Sequence, residues 1–515
     1  MSYYSQLPKQ LNFAAALLSR TETRRANTAF YYRAESFTYE VIDNYVKRAA
    51  TYFLKKGVQR EQRIAILLPN SPSFIVAFLG TIWMGAVAVP IHPELPLETI
   101  LYILSDCRAK HIVTNVFMSN KLFSKKPDLK EISTLVDGEV TWFEDLMMYP
   151  QSLHSEMTSK DEPAYWLYTS GTTGVPKGVV HLHHDPLVLA ESYANKTLKI
   201  HSQDVLYATS SMAFAYGLGC SLYMPMYVGA SSILVGKSDL FDFTNVIQNC
   251  KPTLFFSVPV FFNAALEFDR CEKREFDFSS VRMFVSAGEP LSVTLCLAWM
   301  DRFGKPLLDA LGATEVSHVF IANTPDDYRM GSIGKPIDGF SCLVKNEKGE
   351  ILGPNQTGHL WVSADCLMVG YWNRYEETRD VFCGKYLCTK DLVFYDEDGF
   401  FWYVSRSDSL LKVQGGWVVP VEIEEVLLKH PAVLEVAVTR IIAQEKRGFD
   451  QIGASIVLRK GVDSARALQD IALFARKNLS SEQIPKSFTI LEKLPRTVNG
   501  KVRKNELEQR VQTYA

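Results

Sequence analysis

The chain has 515 residues, more than one ordinary hydrophobic core accommodates, so two or more domains are expected. Apolar residues make up 47% and charged residues 22%, which excludes a disordered chain and leaves ample material for a core. With 55 basic and 57 acidic residues the net charge is -2, so no electrostatic footprint for nucleic acid is present.

The first segment that asks for a decision is 64–93, which holds no Asp, Glu, Lys or Arg. Its length raises a membrane span. Pro69, Asn70, Ser71, Pro72 and Ser73 interrupt it. It reads better as a strand over 64–68, a helix over 72–84 and a strand over 87–90, a unit buried on both faces. Further apolar strand-like runs follow at 111–116 (HIVTNV), 253–259 (TLFFSVP) and 281–288 (VRMFVSAG), alternating with helix-like segments. This pattern predicts a large α/β body with mainly parallel or mixed sheets.

Residues 396–403 (DEDGFFWY) predict a hairpin turning at Asp398-Gly399. Beyond it the elements become shorter and more regular. A helix is expected over 420–430 with Pro420 at its start, then a strand at 433–440 (VLEVAVTR) and a helix over 464–479. The expected organisation is a large domain over 1–407 and a small α+β domain over 408–515. No Gly/Ser-rich linker separates them, so the joint is expected to be a tight hinge. The nine cysteines are odd in number and include no CxxC pair, which speaks against a disulfide framework or a structural zinc site and for a reducing cytoplasm. The opening MSYYSQLPKQLN does not read as a secretory signal.

The sharpest motif is YTSGTTGVPKG at 168–178, after the strand-like AYWLY. Hydroxyls on Thr169, Ser170, Thr172 and Thr173 alternate with Gly171 and Gly174, and Lys177 adds a charge. Glycines let backbone N–H groups close on an anion and hydroxyls add donors, which suits a triphosphate. It is not a Walker A loop, since Pro176 precedes the lysine. The bland alternative is a hydroxyl-rich surface loop.

This string resembles the signature loop of the adenylate-forming superfamily, which includes acyl-CoA synthetases, peptide-synthetase adenylation domains and firefly luciferases. Further matches follow in chain order. SMAFAYGLG at 211–219 resembles the acid-site segment, with Phe214 where the superfamily keeps an aromatic gate; a core helix is the ordinary alternative. SAGEPL at 286–291, with Gly288 and Glu289, resembles the segment along the adenine and acid pockets. LGATE at 311–315 resembles the aromatic-G-x-T-E element. It implies Glu315 as a Mg²⁺ ligand, with Thr172 beside it, and Thr314 facing the α-phosphate. Leu311 replaces the usual aromatic, and Asp309 stands near the position of the adenine amine. TKD at 389–391 stands for T/S-G-D, which implies Asp391 as the ribose ligand, with Lys390 in place of glycine. SRSDSLLKVQGGWVVPVEIEE at 405–425 resembles the hinge element. It implies Arg406 on ribose or phosphate, Asp408 as hinge, Gly415 and Gly416 along a thiol tunnel, and Ser405 in place of glycine. PRTVNGK at 495–501 resembles P-x-T-x-x-G-K, which implies Lys501 as the lysine that reaches carboxylate and α-phosphate.

The resemblance implies an AMP-forming ligase that uses ATP, Mg²⁺ and a thiol acceptor, most naturally coenzyme A. Lys501, Glu315, Thr314 and Lys177 are then the catalytic set. FAYGLG, SAGE, TEVSHVF and HPAVLEVAV look most like the benzoate-CoA ligase branch, which implies Phe214, Ala215, Tyr216, Gly217, Gly312 and His318 around an aryl acid. Tyr216 and His318 read alone are as consistent with ordinary core positions. A short or medium aliphatic acid stays open. So do a stand-alone adenylation enzyme loading a separate carrier protein, a non-catalytic ATP-binding protein, and either a monomer or a homodimer. The nearest basic patch for a carrier, Lys446-Arg447, is weakened by Glu445.

Overall fold

The computed structural model describes residues 2–125, 133–137, 141–170, 175–236, 240–272, 276–413, 416–441, 451–498 and 500–514. The charge-free stretch forms the Arg63–Leu67 strand, the Pro72–Trp83 helix and the Val87–Pro90 strand. Ser71 caps the helix by accepting the Phe74 N–H (3.3 Å), Pro72 fits its first turn, and every residue of the helix is buried. That total burial is why the segment carries no charge. No helix among the described residues is long and apolar enough to cross a membrane.

Two large sheets build the body. One runs Gly370–Tyr371, Pro176–Leu182, Pro163–Ser170, Val87–Pro90, Arg63–Leu67, His111–Asn115, Ser133–Asp137. It is parallel from Pro163–Ser170 onward and antiparallel at the other end. The second runs Lys335–Pro336, Val319–Ala322, Leu307–Gly312, Met283–Ala287, Leu254–Ser257, Val205–Ala208, Ser231–Leu234, Thr28–Tyr32, Glu35–Thr38. Its middle is parallel and both edges are antiparallel. The mixed α/β body expected from the alternation is thus present. Parallel strands covered on both faces need continuous apolar runs, which is what made them readable.

A third, wholly antiparallel sheet joins Ser341–Lys345, Gly358–Ser363, Tyr386–Tyr395, Phe382–Cys383 and Phe401–Arg406. The DEDG hairpin is the turn between Tyr386–Tyr395 and Phe401–Arg406. Past it, Val433–Ile441, Gln451–Leu458 and Ser487–Ile490 form a small sheet under the Pro420–Leu428 and Ser464–Asn478 helices. Ile423, Leu427, Val438, Ile452, Ile456 and Ile471 close an apolar cluster of its own there. This C-terminal unit touches the body through polar contacts. Asn263 donates to the Leu434 carbonyl (3.2 Å), Arg459 pairs with Glu267, and Arg496 pairs with Glu289.

Candidate active site

The described ends of the phosphate motif lie on two antiparallel strands. Pro163–Ser170 pairs with Pro176–Leu182, setting Thr169 opposite Lys177 and Ser170 opposite Pro176. Gly171, Thr172, Thr173 and Gly174 lie outside the described residues, as do Gly415 and the Glu445-Lys446-Arg447 turn. Lys177 pairs with Glu377 and lies 5.2 Å from the centre of the Tyr371 ring. Tyr371 in turn donates its hydroxyl to Glu315 Oε1 (2.8 Å). Glu377 and Tyr371 were invisible as site residues in the sequence; Tyr371 lies 56 residues from the group it holds.

Thr314 and Glu315 sit in a single helical turn after the Leu307–Gly312 strand. Gly312 marks a register break where a side chain would run into the His318 carbonyl, at 2.8 Å from an added Cβ, so only glycine fits. Leu311 is half-buried in the same strand. Asp309 is buried and accepts the Ala310 N–H (2.9 Å); burial pushes its carboxyl well above the usual range.

Tyr386–Tyr395 and Phe401–Arg406 bring Asp391 opposite Arg406. Arg406 Nη1 lies 3.4 Å from Asp391 Oδ1, and Nε donates to Asp408 Oδ1 (3.2 Å). Burial opposes the Arg406 charge, but the two carboxylates outweigh it. Burial also raises Asp391, opposed by Arg406 and then by Lys501. Lys390 has φ +65°, the left-handed region its usual glycine takes freely. The turn survives the substitution at a backbone cost. Ser405 lies in extended strand, so its departure from glycine costs no strain. Lys390→Gly is expected to stabilise the protein by about 0.5 kcal/mol, and Lys390→Val to destabilise it by about 1–2 kcal/mol. Thermal-shift measurements check both signs.

The acid segment is mostly core. Phe214 precedes a short helix, Ala215–Leu218, whose Ala215, Gly217 and Leu218 are buried. A π-helical turn, Gly219–Tyr223, follows. Gly217 admits no side chain, since an added Cβ would lie 2.2 Å from the Ser211 carbonyl. The half-buried Phe214 ring stacks on His92, 5.6 Å between centres. His92, unremarked in the sequence, is held below its ordinary pKa by burial. Tyr216 donates its hydroxyl to the Val285 carbonyl (3.2 Å), and its ring lies 5.4 Å from that of His318. His318 Nε2 donates to the Tyr216 carbonyl (3.1 Å), and burial lowers its pKa to about 4, so it is neutral at physiological pH.

Glu289 and Gly288 follow the Met283–Ala287 strand, Gly288 at φ +97°. Glu289 does more than border a nucleotide. Its Oε1 accepts the Val502 N–H (3.1 Å) and its Oε2 meets Arg496 (3.4 Å), while Arg496 also donates to the Gly500 carbonyl (2.6 Å). Thus the loop carrying Lys501 is clasped onto the body. Burial raises the Glu289 carboxyl, and Arg496, the Val502 N–H and Lys501 pull it back. The Lys501 charge thus favours the ionised form of both Glu289 and Asp391.

A family model described as AMP-binding enzyme matches residues 18–372, and one described as AMP-binding enzyme C-terminal domain matches 422–501. The chain belongs to the AMP-binding enzyme family. Over 492 residues it is 32% identical to a 4-hydroxybenzoate–CoA/benzoate–CoA ligase of Rhodopseudomonas palustris, covering 94% of this chain and 90% of that protein. It is 31% identical to a p-hydroxybenzoic acid–AMP ligase of Mycobacterium marinum over 96% of this chain and 69% of that protein. An anthranilate CoA ligase solved with anthranoyl-AMP superposes with TM-score 0.93 at 29% identity, over 99% of both chains. For this family member, Arg496→Ala is expected to slow ATP–pyrophosphate exchange about 10-fold, the worth of one charge-assisted contact set. Thioester formation from preformed adenylate should hold, so assaying the two half-reactions separately checks it.

Proposed function

We propose that the protein is an AMP-forming ligase that activates an aryl carboxylic acid and passes the acyl group to coenzyme A. The observation that carries this is the clasp by which Glu289 of the body holds the C-terminal loop, through the Val502 N–H (3.1 Å) and Arg496 (3.4 Å), which sets Lys501 against the body. The substrate oxygen attacks the α-phosphorus and pyrophosphate leaves; the thiol, losing its proton, then attacks the acyl carbon and AMP leaves. Charge gathers on phosphate oxygens in the first step, so positioning and cationic groups dominate the catalysis.

Lys501 meets that charge, Thr314 faces the α-phosphate, and the 169–174 loop with Lys177 holds the outer phosphates. Asp391 and Arg406 take the ribose, while Asp309, Leu311 and the Gly288-Glu289 backbone border the base. The Tyr371 hydroxyl occupies one oxygen of Glu315, leaving Oε2 for a hard cation. Glu315 and Thr172 would hold Mg²⁺, which supplies neutralisation of phosphate charge. Phe214, Ala215, Tyr216, Gly217, Gly312 and His318 would border the acid. A neutral His318 among aromatic rings suits a flat aryl group better than an anionic tail. Gly415 and Gly416 would line the thiol tunnel, and 408–515 would rotate about Asp408. Nine free cysteines suit a reducing cytoplasm.

One finding favours a second reading, transfer to a carrier protein: the Mycobacterium marinum relative is named for AMP, not CoA. The test is AMP and pyrophosphate release with Mg-ATP against benzoate, hydroxybenzoates, aminobenzoates, cinnamates and fatty acids, with and without coenzyme A. CoA-dependent turnover on the ring acids is expected. Adenylate that stalls despite coenzyme A would move the acceptor to a carrier, and turnover confined to fatty acids would overturn the aryl assignment.

A further inference from the structure

Behind the Thr314–Glu315 turn lies a fully buried His–Asp pair that no step above uses. His181 and Asp185 both have zero side-chain exposure. His181 Nδ1 lies 2.9 Å from Asp185 Oδ2, and Nε2 lies 2.8 Å from the Thr314 carbonyl oxygen. Asp185 Oδ2 also accepts the Leu182 N–H (3.0 Å), so that oxygen is an acceptor. Both ring nitrogens of His181 thus face acceptors. The ring is thereby pinned at both nitrogens, between the Asp185 carboxyl and the Thr314 carbonyl.

The turn that this ring touches is strained. Ser317 has φ +69° and ψ -38°, close to the rare γ-turn, and it is not glycine. Such a conformation persists only where surrounding contacts overdetermine it. Here the Thr314 carbonyl accepts both the Ser317 N–H (3.1 Å) and His181 Nε2–H. Ser317 Oγ donates to the Cys366 carbonyl (2.7 Å) and lies 3.2 Å from His181 Nδ1. On the far side of Asp185, His184 comes within 3.1 Å of Oδ1, yet its Nε2–H points to the Asp365 carbonyl (2.9 Å). That approach is not a hydrogen bond to Oδ1, which has no hydrogen-bond partner among the described residues, so Asp185 is held through Oδ2 alone.

We propose that His181, oriented by Asp185, is the positioning residue that fixes the strained 314–317 turn and thereby aims Thr314 and Glu315. The assignment rests on the reading of Thr314 and Glu315 as nucleotide-site residues. His181 touches no substrate; it acts through the Thr314 carbonyl. Asp185→Asn keeps the shape but exchanges the carboxyl for an amide, so the bonds that orient the ring through Nδ1 and anchor the Leu182 N–H are altered.

The test measures both half-reactions of Asp185→Asn, His181→Ala and the double variant. Benzoate with ATP–pyrophosphate exchange reads the first, and benzoyl-adenylate with coenzyme A the second. Each single variant is expected to lose about 30-fold in exchange and to need about 10-fold more Mg²⁺ for half-saturation, while keeping at least half its thioester rate. The double variant should fall within about 3-fold of the singles, since the two residues act as one unit. Equal losses in both half-reactions, additive losses in the double variant, or an unchanged exchange rate in Asp185→Asn would each overturn the proposal. Asp185→Asn stands alone if the alanine variants fail to fold. Glu315→Gln separates the two layers: if it leaves exchange and its Mg²⁺ response intact, the reading of the nucleotide site falls and the positioning role with it. If Glu315→Gln is defective but Asp185→Asn is not, only the positioning role falls.

Discussion

Lys501→Ala is expected to slow ATP–pyrophosphate exchange by about 10²–10³-fold, the usual cost of removing one preorganised group from developing charge. The loop that carries Lys501 is built to present it. The Thr497 N–H donates to the Lys501 carbonyl (2.8 Å), the Gly500 N–H donates to the Thr497 carbonyl (3.0 Å), and Glu289 grips the Val502 N–H. An alanine leaves these backbone bonds in place, so the loss isolates the ammonium. Thioester formation from supplied acyl-adenylate should stay near the parent rate, because the α-phosphorus has already been substituted. A full rate of exchange in the variant would remove Lys501 from the mechanism.

The second large effect falls on the other half-reaction. Asp408 lies within the single helical turn Ser407–Ser409, directly after the strand that carries Arg406. A helical turn of this kind takes φ of about -50 to -70°, which covers the proline value of about -65°. Asp408→Pro is therefore expected to accept the present arrangement and leave exchange within about 3-fold of the parent, while cutting thioester formation about 100-fold or more by blocking the proposed rotation of 408–515. Asp408→Ala loses the same contact to Arg406 but keeps a free backbone. It should retain most of both rates. Equal damage to both half-reactions in the proline variant, or equal behaviour of the two variants, would refute the hinge.

Much of the body was legible because burial on both faces leaves a simple record. The 72–83 helix and its flanking strands needed only a missing charge pattern and a Ser-Pro start. Of the C-terminal helices, Pro420–Leu428 was legible from its proline and Ser464–Asn478 was expected over 464–479, whereas Lys504–Tyr514 was not read. The antiparallel sheet built from 341–406 was not, apart from its one Asp-Gly turn. Its strands are half-exposed and, apart from Tyr386–Tyr395, short, and they pair across gaps such as Ser341 with Ser363. The π-helical turns at Ala190–Thr197 and Gly219–Tyr223 also left no trace, because a shift in hydrogen-bond register does not alter which residues are apolar.

At the site, motifs located the groups proposed to meet substrate but not those that hold them. Asp391 and Arg406 were legible as separate signatures and pair in space. Tyr371, Glu377, Arg496 and His92 carry no pattern of their own. Each is an ordinary residue made relevant by one contact. Glu289 was read as a neighbour of the nucleotide, yet its side chain grips the C-terminal loop, a fact that depends on which way one carboxylate turns.

The hairpin beneath the phosphate motif decides which changes of length the protein can tolerate. Thr169 and Lys177 share one face because they are cross-strand partners, and facing alternates at every residue. A residue added at the tip alters only the span between two anchored ends. One residue added within either strand would turn every side chain beyond it to the opposite face, sending Lys177 away from Tyr371 and Glu377. Lineages of this enzyme can therefore lengthen the tip to fit a different polyphosphate grip, whereas an odd-numbered change in its stems would cost them the lysine.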